Sequence, residues 1–208
     1  MQPKTIVMIA IPVLLAALVS LWFMRGSSPP PVPRNLVASL GHGLAQEAAA
    51  AAGDQGQIVV VVAADHKQSG TPLNAQWQAF TGELKKHTSF QLAEPEIAIP
   101  GSHLSLVEIL DRHPQASVLV FFVDPPDLRD WNSIANRTTV PKIVALGNPD
   151  LTARGHYAQA FNRGILAALI FPRLAADVAQ AAPPKTPREW FDRYYQVYTP
   201  QNFATLPE

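Results

Sequence analysis

The apolar positions of this chain fall into two kinds of run. One is long: residues 5–24 carry no charged side chain. The others are short. IVVVVAA at 58–64, SVLVFFV at 117–123 and KIVAL at 142–146 are continuous, β-branched and not alternating. Runs of that kind are expected of central strands covered on both faces, as in a parallel sheet. Helical spacing fills the gaps between them. Leu36, Val37, Leu40, Leu44 and Ala48 recur at helical intervals over residues 34–52, and Gly53 ends that segment. Trp77, Phe80 and Leu84 mark one face of a helix over 74–87. Ser102 is positioned to cap a helix running to Arg112 and stopped by Pro114, and shorter helices are expected over 128–136 and 157–162. A weaker strand region covers 90–99. Residues 165–171 read as the final strand, with a helix as the alternative. Strands alternating with helices predict an α/β domain: a single doubly wound, mostly parallel sheet with helices on both faces.

The long run has the length of a transmembrane helix. About twenty residues at roughly 1.5 Å each cross the ~30 Å hydrocarbon core of a bilayer. Lys4 and Arg25 flank it, and Trp22 and Phe23 lie at one end, where aromatic rings favour the interface. Pro12 is compatible with a spanning helix. The rival reading is a cleaved signal peptide, but the apolar region is long for one and no small-x-small site follows. The expected organisation is a transmembrane anchor at 1–25, a Pro-rich linker at 26–34 opening GSSPPPVP, and one α/β domain at 35–208. The short N-terminal tail is expected in the cytoplasm. That makes the chain a single-pass membrane protein with its domain periplasmic or extracellular.

Composition narrows the classes of function. Lys plus Arg equals Asp plus Glu at 16 each, so no basic face is expected and nucleic acid is not an expected partner. There is no cysteine, which removes disulfides, thiolate metal sites and cysteine nucleophiles. The six histidines show no zinc-binding spacing and read mostly as surface residues. No G-x-S-x-G elbow, phosphate-binding glycine loop or dinucleotide fingerprint occurs. No cofactor, metal or catalytic residue is therefore expected, and the chain does not read as an enzyme.

Several stretches in order carry a resemblance. GLAQEAAAAAGDQGQIVVVV (43–62) is similar to the helix, glycine turn and strand that open the second lobe of the type I periplasmic sugar-binding proteins. QWQAFTGELKKH (76–87) resembles the helix that follows there. LVEILDRHPQASVLVFFVD (106–124) resembles that family's helix, His-Pro and strand unit ending in an acidic loop. PKIVALGN (141–148) looks like the strand that usually ends in G-x-D, with Asn148 near the usual Asp. YYQVYTPQNFATLP (194–207) resembles the closing segment. The resemblance implies a single C-terminal-like lobe and a ligand that is a small sugar. The family binds between two lobes, and this chain has room for one.

In an open parallel sheet, ligands sit beyond the carboxyl ends of the strands. Those positions are Asp65, His66 and Lys67, then Asp124, then Gly147, Asn148 and Asp150. Asp65, His66, Asp124 and Asn148 are the candidate ligand-binding groups for sugar hydroxyls, with Trp77 or Trp131 as a stacking face. The plainer alternative is that Asp65, Asp124 and Asn148 cap helices or shape turns. The aromatic tail, Trp190 to Tyr198, reads either as an interface anchor or as a segment packed back on its own sheet. Two functions follow. One is a membrane-tethered, non-catalytic binding module for a small polar ligand. The other is an accessory subunit whose lobe docks partner proteins of a membrane complex.

Overall fold

The computed structural model describes residues 33–87, 89–99, 105–123, 125, 134, 137, 139–147, 154–173 and 183–205. Helix α1 (Arg34–Ala52) leads into strand β1 (Gly56–Ala63), a 3-10 turn (Ala64–Lys67) and α2 (Pro72–Leu84). Two short strands follow, β2 (Phe90–Leu92) and β3 (Glu96–Ala98), then α3 (Leu106–Arg112) and β4 (Ala116–Phe121). Strand β5 (Lys142–Leu146), α4 (Arg154–Asn162) and β6 (Leu166–Pro172) come next. The chain ends in α5 (Pro187–Tyr194), β7 (Tyr195–Tyr198) and a 3-10 turn at Phe203–Thr205. The membrane segment expected at 5–24 and the helix expected over 128–136 fall largely or wholly outside the described residues. No helix of the described residues is long and apolar enough to cross a membrane.

The sheet order is β2-β1-β4-β5-β6-β7, with β3 also on β1. All pairs are parallel except β6 with β7. The expected doubly wound, mostly parallel sheet is what forms. Ile58 through Val62 are fully buried, and their alternation feeds two separate cores. Val59 and Val61 face the core that holds α3 and α4 residues such as Ile109 and Phe161. Ile58, Val60 and Val62 face the core shared with Leu44 of α1, Phe80 of α2 and Phe191 of α5. A strand covered on both faces has no solvent side, which is why its sequence does not alternate.

Glycine sets the spacing of the helices on that second face. A methyl group on Gly41 would lie 2.0 Å from the backbone oxygen of Gln76 in α2, and one on Gly43 would lie 2.1 Å from the Phe191 ring in α5. Two glycines flanking His42 thus let α2 and α5 both close on α1.

Four expectations change. The cap of α3 is Ser105, whose Oγ accepts from the Glu108 N–H at 3.4 Å. Ser105-x-x-Glu108 has capping-box spacing, a signal missed in favour of Ser102. The 90–99 region is two strands, because β1 pairs with one up to Leu92 and the other from Glu96, and the segment between slips one residue around Pro95. Such a break, with a proline, blunts an exposed sheet edge. Residues 165–171 form a strand but not the last one. Tyr195–Tyr198 pairs antiparallel with it, so the aromatic tail does pack on its own sheet. Finally, of the described histidines only His87 and His156 are exposed; His66 is buried and His42 and His113 are partly so.

Candidate ligand site at the carboxyl edge of the sheet

From β1 the chain passes outward to β2 and β3, then returns across β1 to add β4, β5 and β6 on the other side. The winding direction therefore reverses between β1 and β4. At such a switch point the loops leaving the two strands turn apart and open a crevice at their carboxyl ends.

At that edge β1 runs into Ala64-Asp65-His66-Lys67. Its backbone carbonyls are taken up by local donors. The Ala63 carbonyl accepts from His66 Nδ1 at 3.0 Å, and the Asp65 carbonyl accepts from the Gln68 N–H at 2.8 Å. The His66 carbonyl accepts from Asn74 Nδ2 at 2.9 Å. Thr71 Oγ1 accepts from the Asn74 N–H at 3.1 Å and so caps α2, with Pro72 in the first turn. Thr71 and Asn74 thus bind the start of α2 to the end of β1.

Of the candidate residues, His66 and Trp77 meet. Their ring centroids lie 5.3 Å apart, edge to face. Trp77 stacks on Phe80 at 6.1 Å and meets Phe122, just beyond β4, at 6.3 Å. Asp65 and Lys67 are exposed beside them. Trp77 also lines a groove of about 480 Å³ with Thr81, Leu84, Phe90 and Leu92, on the outer side of the sheet between α2 and β2. Asp124, Trp131, Asn148 and Asp150 lie outside the described residues. Gly147, at the end of β5, packs so closely on the Phe171 ring that a methyl group would lie 2.3 Å from it.

His66 is 4% exposed. Because a carbonyl only accepts, Nδ1 carries the ring hydrogen, and in the neutral imidazole Nε2 is left as an acceptor. Among the described residues, the one buried side-chain nitrogen or oxygen without a hydrogen-bond partner is this Nε2. An unsatisfied buried acceptor costs about 1–3 kcal/mol, so each such exception in a native fold calls for an explanation. No group of three or more His, Asp or Glu side chains among the described residues is arranged to hold a metal ion.

No family model matches the chain, and no curated protein matches it in sequence. Solved structures do match. An ABC transporter solute-binding protein from Burkholderia graminis C4D1M, in complex with D-arabinose, superposes with a TM-score of 0.56 at 13% identity, covering 81% of this chain and 61% of that one. AraP, an arabinose-binding protein from Geobacillus stearothermophilus, gives 0.56 at 13% identity, covering 83% and 63%. A solute-binding protein from Agrobacterium vitis bound to α-D-tagatopyranose gives 0.54 at 17% identity, covering 81% and 57%. The likeness is one of fold. The chain spans about three fifths of the length of these neighbours.

Proposed function

We propose that this chain is a non-catalytic, extracytoplasmic binding module for a small polar ligand such as a sugar, tethered to a membrane by residues 5–24. Its site is the carboxyl edge around Asp65 and His66, completed by Asp124 and Asn148, which follow β4 and β5 in sequence. Trp77 and Trp131 are its stacking faces. One observation carries the reading: the sheet reverses direction at β1 and β4, and β1 ends there in a buried histidine with an unused acceptor. A sugar hydroxyl is a donor of the kind that acceptor lacks, and an exposed carboxylate beside it accepts from a second hydroxyl. The fold match to proteins solved with D-arabinose and tagatose supports the ligand class. The apolar, uncharged length of residues 5–24 supports the tether.

A thermal-shift screen against pentoses, hexoses and polyols tests the site. A ligand at a hundred times its dissociation constant adds about 2.7 kcal/mol, a rise of several degrees for a domain of this size. A selective rise that His66→Phe abolishes is the expected result. A folded domain that responds to no sugar in the panel sinks the reading. Separately, chain released from membranes by alkaline carbonate, without detergent, refutes the tether.

A second reading has its own support. A further structural neighbour belongs to an XylFII–LytSN complex, with a TM-score of 0.53 at 14% identity, covering 80% of this chain and 60% of that one. In this chain Leu92, Ile97 and Ile99 are exposed along the outer sheet edge, at 36%, 42% and 66%. An accessory subunit that docks partner proteins through its lobe fits an uncovered apolar edge. Partners that copurify in detergent and are lost on Ile97→Lys favour this reading over the first.

A further inference from the structure

His42 sits between the two close-packing glycines of α1, at the middle of a polar chain that crosses three helices. Its Nδ1 lies 3.1 Å from Glu83 Oε2 of α2, and Lys86 also donates to that carboxylate. Its Nε2 lies 3.2 Å from Gln46 Nε2, one helical turn further along α1. Gln46 Oε1 in turn accepts from Arg188 Nη1 of α5 at 2.8 Å, and Arg188 Nε donates to Asp192 at 2.9 Å.

The two ends of this chain fix every role inside it. An ionised carboxylate only accepts, so His42 Nδ1 carries the ring hydrogen. A guanidinium only donates, so Gln46 must turn its carbonyl to Arg188 and its NH₂ to His42. His42 Nε2 is then the acceptor, and the ring is neutral. Protonation breaks this order at one place. With hydrogens on both ring nitrogens, Nε2–H meets the Gln46 NH₂, donor against donor. Turning the amide repairs that contact and moves the conflict to Arg188. A charged His42 can therefore keep a hydrogen bond to Gln46 only if Gln46 turns its carbonyl to the ring and gives up Arg188. The Glu83 contact is not lost, because a charged ring binds a carboxylate more strongly.

We propose that His42 is a pH-sensitive latch: neutral, it ties α5 to α1 through Gln46, and on protonation it releases α5 while keeping its hold on α2. Helix α5 runs directly into the edge strand β7, and Arg173 after β6 donates to the Asp192 and Tyr195 carbonyls at 3.1 Å each. Release of α5 thus acts on the strand that closes this side of the sheet.

The charges around the ring agree. Burial holds the His42 pKa below the ordinary value; Lys86 and Arg188 act in the same direction and Glu83 opposes them. Burial raises Glu83, but the hydrogen bond from Lys86 and the contacts with His42 and Gln46 outweigh it, so its net direction is down. Glu47, on the next position of α1, is raised by burial, with Asp192 adding and Arg188 opposing. The sign for His42 follows. Its folded pKa lies below its unfolded one, so the stability it contributes is present above about pH 6.5 and is lost as pH falls through the folded value. Glu83 loses its contribution only at lower pH. Glu47 acts the other way, gaining stability as it is protonated.

The test is made on the full-length chain. Ring ¹⁵N shifts at pH 7 should show His42 with hydrogen on Nδ1 and a bare Nε2; the opposite tautomer overturns the latch. Hydrogen exchange, corrected for intrinsic rates, should show protection of α5 falling severalfold between pH 7 and pH 5. Protection of α2 should stay within a factor of two. In His42→Gln the loss in α5 should disappear. Equal acid loss in α5 and α2, or the same loss in His42→Gln, refutes the proposal. Should His42→Gln fail to fold, Arg188→Met serves: the His42 pKa should rise in it and α5 protection should become independent of pH.

Discussion

The middle of β1 and its carboxyl end are neighbours in sequence and opposites in design. From Ile58 to Val62 every side chain is fully buried, the strand has neighbouring strands on both sides, and nothing polar is present. From Asp65 to Gln68 the side chains are polar and mostly exposed, and carbonyls are met by side chains as well as by backbone. The first region is held by apolar area removed from water. The second is held by a few specific hydrogen bonds, and one of its buried atoms is left over. Stability is concentrated where no choice of partner is needed. The proposed recognition site lies where the backbone has been freed from the ladder.

Substitutions at the two places should separate sharply. Phe80→Ala empties the core behind β1, where the ring is fully buried between Trp77 and Phe122. It should cost about 3–5 kcal/mol in a denaturant melt. Thr71→Ala removes the cap that ties α2 to the edge, and about 1 kcal/mol is expected. An equal loss at both positions would break the comparison. His66→Phe should cost less still. It gives up one hydrogen bond, about 1 kcal/mol, but removes an unsatisfied acceptor of at least that size. A net change within about 1 kcal/mol, together with loss of any sugar response, sharpens the contrast. A loss of several kcal/mol would instead make His66 part of the supporting core.

Most of the interior was legible because burial on both faces leaves a run of β-branched residues that a solvent-facing strand does not have. The runs at 58–64, 117–123 and 142–146 all became central strands, and Arg34–Ala52 became one helix. The edge was legible only by rule. The sequence placed Asp65 and His66 at a strand end, but their neighbours depend on how α2 returns. That His66 and Trp77 touch, eleven positions apart, needed the Thr71 and Asn74 contacts that set the angle of α2. The role of His42 was not legible at all. His42 and His113, among the histidines expected mostly at the surface, are partly buried, because a lone His carries no periodic signal and its burial depends on the helices that flank it. The clue available was Gly41-His42-Gly43, a pair of close-approach positions around a titratable ring.

What this sequence determined by itself is the alternation of buried strands with amphipathic helices, and hence a parallel sheet wound on both sides. Local periodicity reports burial, and burial is what those elements exist to achieve. Only the tertiary structure decided the strand order, the place where the winding reverses, the unused nitrogen of His66 and the chain from Glu83 through His42 to Arg188. Each of these depends on groups far apart in sequence, and hydrogen-bond direction is settled only when donor and acceptor stand opposite one another in space.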